Sequence, residues 1–137
     1  MWQASFQTTT DVPAENLYRA ITDFNAWNKW ANGIEYTRLI GDAKTGSAFM
    51  LKPKYGPAVK MTIEKMWLFE VVDVAHLPFA KMRTIHKYKR IGDTTHIFMD
   101  VQIWGALGFL WQKIIGENHI KDAPIQTQAF IEYARAA

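Results

Sequence analysis

Residues 105–137 read GALGFLWQKIIGENHIKDAPIQTQAFIEYARAA, and the spacing of apolar residues in this stretch decides the architecture. Leu107, Leu110, Trp111, Ile114 and Ile115 fall at helical i, i+3, i+4, i+7 and i+8 positions, while Gln112, Lys113 and Glu117 point elsewhere. A helix with one apolar face needs a surface to lie on. Continued through Ile125, Ala129 and Tyr133, it runs for about 29 residues, or ~43 Å at about 1.5 Å per residue, enough to cross a whole sheet. Pro124 removes one backbone hydrogen bond from it, and Asp122 can cap a fresh start, so a kink or restart is expected near residues 120–123.

The preceding residues supply the sheet. Alternation and turn residues predict strands over 34–40, 47–52, 58–67, 70–76, 81–91 and 94–104. Gly41-Asp42 with Gly46, Tyr55-Gly56-Pro57, Pro78 and Gly92-Asp93 mark the breaks, and only the join near Leu68 lacks such a signal. Upstream, Trp2, Ala4, Phe6 and Thr8 alternate with polar residues as in a half-buried strand. Asp11 can then cap a helix that has Pro13 in its first turn and Leu17, Ala20, Ile21 and Phe24 as its buried stripe. A second short helix carries Phe24, Trp27 and Trp30, three residues apart, and stops at Asn32-Gly33. Strand, two short helices, six strands and a long helix make an α+β protein in which the helix covers one sheet face.

Composition narrows the class. At 137 residues, 49% hydrophobic and 14% aromatic, the chain suits one globular domain spanning 1–137, and it has no apolar run near the ~20 residues of a membrane span. No integral membrane contact is expected. The first residues have neither a basic nor an apolar leader region, so a cytoplasmic location is the expectation. Zero cysteines exclude disulfides, thiolate zinc sites and a cysteine nucleophile. The formal charge of +3 is spread along the chain and gives no sign of a nucleic-acid partner.

Three features in this order carry a family resemblance: the helix Asp23-Phe24-x-x-Trp27-x-x-Trp30, Gly46 before the third strand, and the junction Trp104-Gly105-Ala106-Leu107-Gly108-Phe109-Leu110-Trp111. The chain resembles the polyketide cyclase/dehydrase branch of the START-like, or Bet v 1-like (SRPBCC), helix-grip superfamily over nearly its whole length. The resemblance implies a curved seven-stranded antiparallel sheet gripping the C-terminal helix over a hydrophobic pocket. None of the three is a catalytic motif; they are fold markers, and no cofactor is implied.

The Gly92-Asp93 turn sets which side chains face that pocket. A two-residue hairpin there pairs Tyr88 with Ile97, His86 with Met99, Thr84 with Val101 and Met82 with Ile103. The opposite face holds Arg83, Lys87 and Lys89, whose burial would cost several kcal/mol per charge, about the penalty of an unpaired buried ion. The first set therefore faces inward, and Asp100 lies outside. The same logic turns Val59, Met61 and Ile63 inward, with Ile34, Tyr36 and Arg38 from the second strand. In the fifth strand Val72, Val74 and His76 share one face and Asp73 takes the other, with Asp73 beside Thr84 as one arrangement; the residues do not say which face is inside. From the long helix Leu107, Trp111, Ile114 and Asn118 should line the same space.

The expected ligand-binding set is thus Tyr36, Met61, Ile63, Thr84, His86, Tyr88, Met99, Val101, Leu107, Trp111, Ile114 and Asn118. It describes a site for a small, mostly apolar molecule, lipid- or polyketide-like, between sheet and helix. A cyclase/dehydratase-type enzyme without metal is the alternative, with His86 and Tyr88 as proton-transfer groups, although alternate residues on one strand stand ~6.5 Å apart, too far for a direct hydrogen bond. A protein-interaction module using the groove or the basic stripe Arg83, Lys87, Lys89, Arg90 is a third reading. The four histidines, 76, 86, 96 and 119, lack metal-ligand spacing, and the hairpin sends His86 and His96 to opposite faces, so no metal site is expected.

Overall fold

Gly92, at φ +61°, turns strand β6 (Ala80–Ile91) into β7 (Thr94–Trp104), and the pairing runs from Ile91 with Thr94 to Lys81 with Trp104. This is the two-residue register expected from the sequence. Thr84, Tyr88, Met99 and Val101 are buried on its inner face, whereas Lys87 and Lys89 are exposed on the outer one.

The computed structural model describes residues 1–137. Strand β1 (Trp2–Thr10) leads to helix α1 (Ala14–Thr22) and a 3-10 turn (Trp27–Lys29), followed by β2 (Ile34–Ile40), β3 (Ala48–Pro53), β4 (Val59–Trp67) and β5 (Glu70–Leu77). Together with β6 and β7 they make a seven-stranded antiparallel sheet in the order β1-β7-β6-β5-β4-β3-β2. The chain ends in helix α2 (Gly108–Trp111), a π-helical turn (Gln112–Gly116) and helix α3 (Glu117–Arg135).

The unmarked join near Leu68 is a two-residue hairpin, with Trp67 opposite Glu70 and Phe69 at φ +65°. The caps differ from expectation. Pro13 itself occupies the N-cap of α1. Asp11 instead accepts two hydrogen bonds of 3.2 Å from Arg135, tying the end of β1 to the end of α3. Phe24, Trp27, Trp30 and Phe49 interlock at centroid distances of 5.0–5.9 Å and fill the space under β2 and β3.

Two inserted residues rotate elements away from the simple periodic reading. In β2 the register slips between Ile34 and Tyr36, so Ile34, Thr37 and Leu39 turn toward the core. Tyr36 and Arg38, expected inside, are exposed because the extra residue reverses the alternation after it. The π turn does the same to the C-terminal helix, since a five-residue turn advances the buried face by one position. Beyond it the buried positions are Ala123, Phe130, Ile131 and Ala134, while Ile125 and Ala129, on the extrapolated stripe, are exposed. The helix is irregular at 112–116 and not at 120–123. α3 continues through Pro124 without a break, because the buried positions on either side anchor it and only the proline's own N–H is missing.

Gly116 makes the close packing at the π turn possible. A Cβ there would stand 2.8 Å from both Ile103 Cδ1 and the Trp2 ring. On the convex face the basic stripe is partly engaged. Arg83 pairs with Glu64 at 2.8 Å and lies over the Trp104 ring, and Arg90 donates to the carbonyl of Asp11.

Candidate ligand cavity

Strand β5 is buried from Val71 to Ala75. Its pairing sets Asp73 opposite Thr84 on one side and Ile63 on the other, which brings the carboxylate to the inner face. An anion there needs a partner, and the neighbouring strand provides it: His86 Nε2 lies 2.9 Å from Asp73 Oδ2. Asp73 has 2% of its surface exposed and the His86 side chain 15%. With Asp73 ionised, Nε2 carries the proton, so in neutral His86 Nδ1 is the acceptor.

This pair borders a cavity of about 120 Å³ between the inner sheet face and α3. The wall is mainly apolar, with Trp27, Trp30, Met61, Met82, Met99 and Phe130 prominent. Phe130 packs on Trp30 at 4.8 Å and is stacked with Tyr88 at 6.1 Å, so one helix residue closes the floor against two walls. Trp27 meets the His86 ring edge-on at 6.2 Å.

The polar lining is sparse. Thr84 and Tyr88 are buried, and burial, then the charge of Asp73, drives the Tyr88 phenol far above its ordinary range, so it serves only as a neutral hydroxyl. His119 enters from α3. Its pKa lies below the ordinary 6.5, first because burial disfavours the cation and then because His86 is close, with Asp73 and Asp122 pulling the other way. Trp30 Nε1 is buried and has no acceptor. Buried indole N–H groups normally find one.

Of the twelve residues expected at the site, Met61, Thr84, His86, Tyr88 and Met99 line this cavity. Ile63 and Val101 lie deeper, completely buried in the core. Leu107 and Trp111 are half-buried at the end of the sheet, where Trp111 Nε1 donates to the Pro78 carbonyl at 2.9 Å. Tyr36, Ile114 and Asn118 are exposed, because the slip in β2 and the π turn rotate them off the cavity. The helix contributes His119, Ala123, Gln126, Thr127 and Phe130 in their place. Each of His119, Gln126 and Phe130 stands one position after a residue on the extrapolated face. Asp73 was readable in principle, since a two-residue turn at Pro78-Phe79 puts it opposite Thr84. No three His, Asp or Glu side chains converge as a metal-binding group.

The same fold recurs in solved structures. Ara h 8.0201 superimposes with a TM-score of 0.78 at 13% identity, covering 99% of both chains. A START superfamily protein from Mycobacterium smegmatis matches with a TM-score of 0.73 at 15% identity over 96% of this chain and 97% of that one. This chain has the START-like, Bet v 1-like helix-grip fold. A hypothetical protein from Helicobacter pylori shares the helix-grip architecture, with a TM-score of 0.82 at 11% identity over 98% of this chain and 88% of that one. No protein-family model and no curated protein matches the sequence. No helix is long and apolar enough to cross a membrane.

Proposed function

We propose that the helix-grip cavity binds a small, mostly apolar molecule carrying one hydrogen-bonding group. The observations that carry this reading are the mainly apolar cavity, which has Trp30 among its lining residues, and the buried, unpartnered Nε1–H of that same residue. A ligand carbonyl or ether oxygen would satisfy it, and the Asp73–His86 pair offers a second polar contact. Volume limits the ligand's size. An apolar cavity of about 150 Å³ holds a benzene ring, so the smaller space of about 120 Å³ suits a ligand no larger than about one unsubstituted ring or a short chain. A longer lipid- or polyketide-like molecule requires Met61, Met82 or Met99 to change rotamer, which their flexible side chains allow.

A second reading is supported by the buried carboxylate–imidazole pair, which is the arrangement a general base needs. On that reading the cavity belongs to an enzyme of the cyclase/dehydratase type, with His86 taking the proton and Asp73 orienting it. The fold does not choose between carrier and enzyme. Native mass spectrometry of protein purified from its own host separates them: a retained small-molecule mass supports the carrier. A retained mass that the protein converts on incubation supports the enzyme. Apo protein that binds no small ketone, ether or phenol would contradict both.

A further inference from the structure

The apolar face at the start of the C-terminal helix is left without a partner in the fold. Because the π turn rotates α3 onto the sheet, the earlier stripe is only partly covered: Leu110 is 40% and Ile114 50% exposed. The Pro78–Phe79 turn adjoins this stripe. Leu107 N–H donates to the Phe79 carbonyl at 3.0 Å, and Trp111 is tied to Pro78. Phe79 has φ +56° and is 76% exposed. The residue after proline in a turn with positive φ is normally Gly or Asn. A phenylalanine there bears backbone strain and gains little burial, so the fold does not account for its ring.

The charge around this patch is one-sided. In the antiparallel order the β3–β4 connection, the β5–β6 turn and the β7–α2 junction share one end of the sheet. No Asp or Glu occurs in residues 52–63, 74–92 or 101–116. The same stretches place Lys54, Lys60, Lys81 and Lys113 at this end, none paired with a carboxylate. Lys60 and Lys81 converge near His76, whose pKa is lowered by burial and then by these two ammonium groups. The flanking carboxylates Glu64 and Glu35 are taken by Arg83 and Lys52, leaving Glu117, one helical turn beyond Lys113.

We propose that this end of the protein docks on an anionic lipid surface. Phe79, Leu110 and Ile114 enter the boundary between headgroups and acyl chains, and the four lysines meet lipid phosphates. An apolar patch bordered by cations and lacking carboxylates fits that surface. A second copy of the chain would bring the same cations against each other, which disfavours self-association.

Sedimentation of the full chain with vesicles tests the proposal, comparing phosphatidylcholine containing about 30 mol % phosphatidylglycerol with pure phosphatidylcholine. Binding is expected to the anionic vesicles, falling as salt rises. Phe79→Gly should weaken it roughly tenfold while leaving the thermal midpoint unchanged or raised, because strain is relieved; this separates loss of docking from loss of fold. Lys81→Glu with Lys113→Glu should weaken binding by about 25-fold or more, about fivefold for each lysine removed. Absence of binding to anionic vesicles would overturn the proposal, as would equal binding to both vesicle types that neither variant changes. A concentration-dependent dimer in sedimentation velocity, dissolved by Phe79→Gly, would assign the patch to a second copy and overturn it too.

Discussion

Asp73 and His86 sit on adjacent strands, diagonal to one another across the β5–β6 ladder, and meet at 2.9 Å inside the sheet. Both side chains would be destabilising alone, since each would leave a desolvated polar group without a partner. Their energies should therefore be coupled. In a double-mutant cycle of Asp73→Asn and His86→Gln followed by urea unfolding, the expected coupling is about 1–3 kcal/mol. Additive effects would show that the pair does not hold in solution.

The phase of the C-terminal helix is testable by comparing two truncations. Phe130 is buried against Trp30 and Tyr88, so Phe130→Ala should destabilise by about 3–5 kcal/mol. Ile125 is exposed, and Ile125→Ala should change stability by less than about 0.5 kcal/mol. Similar urea midpoints for the two variants would mean that the helix keeps the unshifted face.

His119 gives the protein a pH dependence of known sign. Its folded pKa lies below the ordinary 6.5, so the unfolded chain binds the proton more tightly than the folded one. The stability present above about pH 6.5 is lost as pH falls through the folded value. The drop in unfolding free energy between about pH 7.5 and pH 5 should be smaller in His119→Gln than in the parent chain. His76→Gln is the useful comparison, because His76 also has a lowered pKa but lies on the outer face. An unchanged drop in His119→Gln would remove His119 from the buried wall.

Gly105 and Gly92 both have positive φ, yet they differ in surroundings. At Gly105 a Cβ would approach the Ala80 Cα and the Phe79 carbonyl oxygen to 2.7 Å, whereas at Gly92 nothing lies within 4 Å. Gly92→Ala should cost about 1 kcal/mol from backbone strain alone. Gly105→Ala should cost clearly more, on the order of 3 kcal/mol, because backbone must move as well. Equal thermal shifts for the two would contradict the close approach of the β7–α2 junction to the β5–β6 turn.

The sequence made periods legible and left phases open. Strand positions, the Gly92-Asp93 register and the covering helix come from alternation, turn chemistry and helical spacing, so His86, Tyr88, Thr84 and Met99 could be placed inward directly. One extra residue in β2 and one in the π turn change no local preference strongly enough to be seen, yet each rotates every residue after it in the same element. Periodicity alone therefore puts Tyr36, Ile114 and Asn118 on the cavity. Asp73 escapes for a different reason: β5 is buried on both faces, so hydrophobicity cannot tell its sides apart.

The most direct test of ligand binding reads the Trp30 indole proton itself. The chain has six tryptophans, and Trp30→Phe assigns the Trp30 Nε1–H resonance in a ¹⁵N-labelled sample. Titration with a small ketone such as cyclopentanone is expected to shift that resonance downfield and saturably as the orphan donor gains an acceptor. Methylcyclopentane, of similar shape but without the oxygen, should bind more weakly by about 1–2 kcal/mol. A Trp30 resonance unmoved by every oxygen-bearing probe, or equal affinity for the two compounds, would contradict the account.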